Sequence, residues 1–166
     1  MNPVIQLFRR KDERSAFCFN IESSRPLTED EVDFLRLVLA DGFLVETVAK
    51  ESVLTGDRVV EVGPRLNFAT AWSSNMVSIC QAIGLDSVTR VERSRQYVVP
   101  EGEDLDHFVA SHHDRMTEYR YMEPLKTFET GIEPEPVYEV DLKTKGPDGL
   151  AEIPGISMDQ WDRQIY

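Results

Sequence analysis

Residues 61–85, EVGPRLNFATAWSSNMVSICQAIGL, followed by residues 88–99, VTRVERSRQYVV, decide how this chain folds. Arg58–Val62 alternates as a strand, and Gly63-Pro64 is expected to stop it, because proline has no N–H to give to a ladder. Ser73 or Ser74 is placed to cap a helix, Met76, Ile79, Cys80 and Ile83 share one stripe of it, and Gly84 offers a left-handed stop. From Val88 the period changes to two. A long strand then puts Arg93, Arg95 and Tyr97 on one face and Arg90, Glu92 and Ser94 on the other.

The same grammar appears upstream. Val4–Phe8 and Ala16–Ile21 are short, β-branched and aromatic-rich, and the charged run Arg10–Arg14 between them predicts a hairpin. Thr28 with Glu31 three positions on makes a capping box, Val32, Leu35, Val38 and Leu39 form one apolar face, and Gly42 is expected to end that helix. Strand, helix, strand occurring twice predicts an α+β fold: an antiparallel sheet with two helices on one face. Residues 1–125 are expected to hold this domain. In residues 126–166 aliphatic periodicity fades and prolines gather (Pro134, Pro136, Pro147, Pro154), which reads as an extended acidic arm.

With 18 Lys+Arg against 30 Asp+Glu the chain carries −12, yet residues 58–99 alone are basic at +2 while residues 100–166 hold −10. That balance argues against gripping nucleic acid, and the strands lack aromatics where bases would stack. No run approaches the roughly 18 apolar residues of a membrane span, and MNPVIQLFRRKDERS lacks the design of a signal peptide, so a cytoplasmic protein is expected, with no membrane contact. Cys18 and Cys80 sit in apolar runs and read as buried thiols. His107, His112 and His113 lack the spacing of zinc ligands and read as a solvated helix end. Neither a phosphate-cradling glycine loop nor a nucleophile elbow occurs.

Asn67, Trp72, Ser73, Ser74 and Asn75 concentrate polar groups and one large aromatic at a helix start, and Arg65, Arg90, Arg93 and Arg95 form a basic patch in an acidic protein. Two readings stay open. The arginines pair internally with Glu61, Glu92 and the acidic arm, or they offer a docking surface to another protein or to an anionic, nucleotide-like ligand. Trp72 reads first as a core anchor.

Glu61–Phe68, Trp72–Asn75, Ile79-Cys80, Gly84-Leu85, Val91–Arg95 with Tyr97, and His113–Glu118 resemble, in order and spacing, the N-terminal domain of large-type phosphoribosylformylglycinamidine synthase. The stretch from there to Met158–Asp162 is similar to that family's linker. The resemblance implies a pseudo-duplicated unit like a dimer of the small PurS subunit. It further implies a non-catalytic assembly role in purine biosynthesis, in the ATP- and glutamine-dependent conversion of formylglycinamide ribonucleotide to formylglycinamidine ribonucleotide. The unit would bridge the synthetase and glutaminase parts and support ammonia transfer between them. The synthetase signature Asn-Ser-Glu-His-Ser-Arg-His and the glutaminase Cys-His-Glu set are absent from this sequence. No cofactor is therefore expected on this chain, ATP and Mg falling to the partner synthetase. Arg65, Asn67, Trp72, Ser73, Asn75, Arg93, Arg95, Asp114, Arg115 and Glu118 are the interface candidates. Tyr166 falls near the expected start of the synthetase, so the chain reads as a separate subunit or a domain of a longer one, monomeric outside its complex.

Overall fold

A computed structural model of the chain describes residues 2–133, 136–153, 155–156, 159 and 161. Pro134, Pro154, Met158, Gln160, Asp162 and Tyr166, quoted above, lie outside the described residues. The chain divides into two compact units, Met1–Gly131 and Ile132–Tyr166.

The first unit runs β1 (Val4–Arg10), β2 (Ser15–Ser23), α1 (Glu29–Leu39), β3 (Val48–Ala49), β4 (Val59–Pro64), α2 (Ala71–Ala82), β5 (Val88–Val98), α3 (Leu105–His112) and β6 (Glu118–Tyr121). The six strands form one antiparallel sheet in the order β3-β1-β2-β5-β4-β6. The α+β class and the antiparallel sheet are as the sequence predicts. Register fixes which residues share a face, since directly opposed residues point the same way. Leu7 opposes Phe19 and Phe19 opposes Arg93, while Phe17 opposes Arg95 and Arg95 opposes Val62. Leu35 and Leu39 of α1 and Met76 and Cys80 of α2 bury against Leu7, Phe19, Ile21 and Val91 of that face.

Three helices, not two, cover this face. Phe108 and Val109 of α3 pack on Val60 and Val62 as a second cluster. His107 and His112 flank this apolar pair, so α3 has a buried side as well as the solvated histidine end expected of it.

Local chemistry explains most boundaries. Thr28 caps α1 and Glu31 returns the bond, completing the box. After α2, Gly84 sits at φ +87 with Gly84 N–H on Gln81 O and Leu85 N–H on Cys80 O, the paired bonds of a left-handed helix stop. Gly42 does not play that part for α1, which ends at Ala40 in extended conformation. The expected stop at Gly63-Pro64 is also wrong: β4 continues through both, with Gly63 opposite Tyr119 and Pro64 opposite Glu118. Arg65 N–H turns to Thr117 O of that neighbour, so Pro64 faces the other side, where pairing with β5 has already ended at Val62.

The N-cap of α2 is Thr70, three or four residues before the expected Ser73 or Ser74. Ser73 is buried, and its hydroxyl accepts from the Val91 N–H at 3.3 Å. The first turn of α2 thus satisfies the part of β5 that β4 has left.

The helix-free face of the sheet is polar and yet buried. Asn20, Glu92 and Ser94 are fully enclosed. Gln6 Nε2 donates to Asn20 Oδ1 and to Leu125 O, Ser52 Oγ reaches Gln96, Glu61 accepts from Gln96 Nε2 and from the Ser94 hydroxyl, and Phe128 is buried under Arg90. Buried polar groups persist where each finds a partner, and these do.

In the second unit Asp141 caps α4 (Leu142–Lys145), and a 3-10 helix, Gly146–Glu152, follows it, with Lys145 paired to Glu152 at 2.7 Å. No helix among the described residues is long and apolar enough to cross a membrane.

Candidate functional site

On the helical face, α2 stands over Phe19, on which Trp72 stacks at 6.0 Å, and α3 stands over Tyr97, which Phe108 meets edge-on at 5.8 Å. Between them the sheet presents Arg93 and Arg95. The open cleft beside α3, about 660 Å³, has Arg95 and Tyr97 as floor, His112 as one wall and Asp114 and Glu118 as the other.

Each group there is held. Arg95 pairs with Glu118 at 2.6 Å, and Glu118 also accepts the Asp114 N–H at 3.0 Å. The Asp114 carboxylate accepts from the Met116 N–H at 2.8 Å; that bond, followed by one from the Thr117 side chain, lowers its pKa below the ordinary aspartate value. His112 lies flat on Phe108 at 3.8 Å, and its Nδ1–H donates to Phe108 O at 2.8 Å, which sets its tautomer and holds the ring against the helix. His113 likewise donates from Nδ1 to Val109 O. Among the described residues no three His, Cys, Asp or Glu side chains group as a metal would need.

Arg93 behaves differently from its neighbour. Its guanidinium carbon lies 4.9 Å from the Phe17 ring centre and 5.1 Å from that of Trp72, a cation held on two rings. Burial first, then the charges of Arg9 and Arg95, lower its pKa. Trp72 therefore both anchors α2 and carries a surface cation. Arg90 follows the internal reading: it pairs with Glu92 at 3.2 Å, donates to Leu66 O and Phe68 O, and lies over Phe128 at 4.4 Å.

Arg65 joins the other side of β4, its guanidinium donating to Arg115 O at 2.9 Å. A smaller depression of about 350 Å³ lies there, bordered by Pro64, Phe68, Thr70, Thr117 and Glu118, so Thr117 and Glu118 form a ridge shared with the larger cleft. The structure thus brings Arg95, Asp114 and Glu118 to one cleft, holds Arg93 on Trp72 outside its lining, and joins Arg65 to Arg115 O. Ser73 is internal, and Asn67 and Asn75 are exposed but line neither depression. Arg9 and Phe17 were missed from sequence, although the alternation of β1 and β2 places them on the same face as Arg95.

Residues 16–128 match the family described as formylglycinamide ribonucleotide amidotransferase N-terminal. The chain belongs to this family. It is similar to the probable chloroplastic/mitochondrial phosphoribosylformylglycinamidine synthase of Arabidopsis thaliana, 41% identical over an alignment of 163 positions that covers 89% of this chain and 12% of that protein. The phosphoribosylformylglycinamidine synthases of Dictyostelium discoideum (33% over 168 residues) and Homo sapiens (34% over 163 residues) each match 90% of this chain and 12% of their own length. The chain therefore spans about 12% of the length of these curated relatives. The family match includes the segments from Glu61 to Glu118 that carried the resemblance to the N-terminal domain, and every interface candidate, from Arg65 to Glu118, falls within it, while the linker-like stretch Met158–Asp162 lies outside it.

Proposed function

We propose that this chain is the N-terminal assembly domain of a phosphoribosylformylglycinamidine synthase and acts in purine biosynthesis without a catalytic residue of its own. In this reading it lies between the synthetase and glutaminase parts of the enzyme and supports the passage of ammonia from one to the other. ATP and Mg belong to the synthetase part. The single observation that carries the reading is that the family match covers most of this chain, while its relatives, named for the whole synthase, are about eight times as long.

A PurS-dimer-like duplication is part of the proposal. It is supported by α1 following β2 and α2 following β4, with both helices buried in one cluster on the same face. A cytoplasmic setting, and a monomer outside the assembly, complete the proposal.

The test is a pull-down of the tagged chain from its source cells, with mass spectrometry of what is recovered and an assay for glutamine- and ATP-dependent amidine formation. Recovery of a large synthetase-type polypeptide with that activity supports the assembly role. Recovery of none, together with a thermal shift on adding nucleotides, moves the function to a small module that binds an anionic, nucleotide-like ligand.

A further inference from the structure

The helical face of the sheet holds cations that no ion pair among the described residues answers. Arg9, Phe17 and Arg95 oppose one another across β1, β2 and β5, and Arg93 is the next residue of β5 on that face. Arg95 is answered by Glu118. Among the described residues no carboxylate pairs with Arg9, Lys11 or Arg93. In a chain with 30 acidic side chains against 18 basic ones, a surface cluster left without a carboxylate is an electrostatic exception.

The cations are also fixed in advance. Arg9 donates to Leu39 O at 2.7 Å and lies 5.3 Å from the Phe17 ring centre and 5.6 Å from that of Phe19, while Lys11 approaches the Phe17 ring at 5.9 Å. Arg93 rests on Phe17 and Trp72. A guanidinium held on aromatic rings keeps its N–H edges for an acceptor and has little rotamer freedom left to lose when one arrives.

We propose that the Arg9–Arg93 patch, with Phe17 and Trp72 beneath it, docks an acidic polypeptide segment, whose successive carboxylates pair with Arg9 and Arg93. The inference rests on the assembly reading and names the chemistry of the partner at this surface. The number of cations selects a polypeptide over a single phosphate: Arg9, Lys11 and Arg93 lie 5.3, 5.9 and 4.9 Å from the Phe17 ring centre, and three fixed positive charges call for several carboxylates rather than one anion. The rings select against a nucleotide, because Phe17 already carries Arg9 and Arg93, Trp72 carries Arg93 and Phe19, and Tyr97 carries Phe108 and His112.

The chain with Trp161→Phe, which leaves Trp72 as its one indole, is titrated with hexaglutamate peptide, with inorganic phosphate and with ATP, following Trp72 fluorescence at low and high salt. The expected result is a saturable change with the peptide, weakened by added salt and at least about tenfold weaker in Arg93→Gln, with phosphate and ATP far weaker. Arg93→Lys, which keeps the charge but loses the planar fork, should fall between. Circular dichroism confirms that each variant is folded. A change with phosphate or ATP alone, an equal response in Arg93→Gln, or no response to the peptide overturns the inference. None of these outcomes touches the pull-down, so the assembly reading stands or falls separately.

Discussion

The Glu92 carboxylate, fully buried on β5, accepts both the backbone N–H of Thr70 at 3.0 Å and its hydroxyl at 2.7 Å. The same hydroxyl oxygen accepts the Ser73 N–H at 3.0 Å, so one strand residue selects where α2 begins. Arg90 completes the group and ties in the loop before the helix through Leu66 O and Phe68 O. Removing Glu92 strands a mostly buried guanidinium and releases the cap. Glu92→Ala is expected to lower unfolding stability by about 3–5 kcal/mol, with Glu92→Gln losing less because one acceptor remains; urea unfolding of the two variants measures this.

Gly63 is needed for space. A Cβ there would come within 2.8 Å of Ser94 Cβ and of Tyr121 Cζ, whose hydroxyl donates to Pro64 O. Gly63→Ala is expected to cost about 1–3 kcal/mol and Gly63→Val more. Pairing Gly63→Ala with Tyr121→Ala should recover part of the loss from overlap, which a double-mutant cycle by thermal unfolding would read.

Acid should weaken the start of α1. Arg25 first, then the Thr28 N–H, pulls the Glu31 carboxyl from an ordinary 4.5 down to about 2. Because the folded value is the lower one, the unfolded chain binds the proton first as pH drops. The contribution of Glu31 is full above about 4.5 and is lost as pH falls to about 2. The difference in melting temperature between the native chain and Glu31→Gln should hold near neutrality and shrink across that window.

The thiols should be inert until the chain unfolds. Cys18 and Cys80 are both enclosed, and burial pushes both thiols up, Cys18 further through the nearby charge of Glu61. Neither should react with a disulfide reagent within minutes near neutral pH, and both should react promptly in guanidinium.

Phe43 stands at φ +62 and is 79% exposed, a bulky side chain in left-handed backbone with little packing to justify it. Phe43→Asn is expected to raise stability by about 1 kcal/mol, read as an increase in melting temperature.

The sequence was most legible where a few neighbours decide the outcome. The Thr28–Glu31 box, the stop at Gly84 and the alternation of Arg93, Arg95 and Tyr97 are local and were readable without a partner strand. Distance in sequence hid the rest. Thr70, Ser73 and Ser74 are all competent caps, and the choice among them is made by Glu92, some twenty residues on. The stop expected at Pro64 failed because β6 arrives more than fifty residues later to pair with it. Arg9 joined the candidate patch only through cross-strand register, which no single strand reveals.

The bond from Gln6 Nε2 to Leu125 O, 2.6 Å long, joins positions 119 apart. During synthesis β1 leaves the ribosome early, but its polar side cannot be closed until the segment through Phe128 has followed. Until then Asn20, Glu92 and Ser94 face water, and the sheet has only its helical half to hold it. The first unit should therefore become protease-resistant late and nearly at once on the nascent chain, when about its last residues emerge, rather than strand by strand.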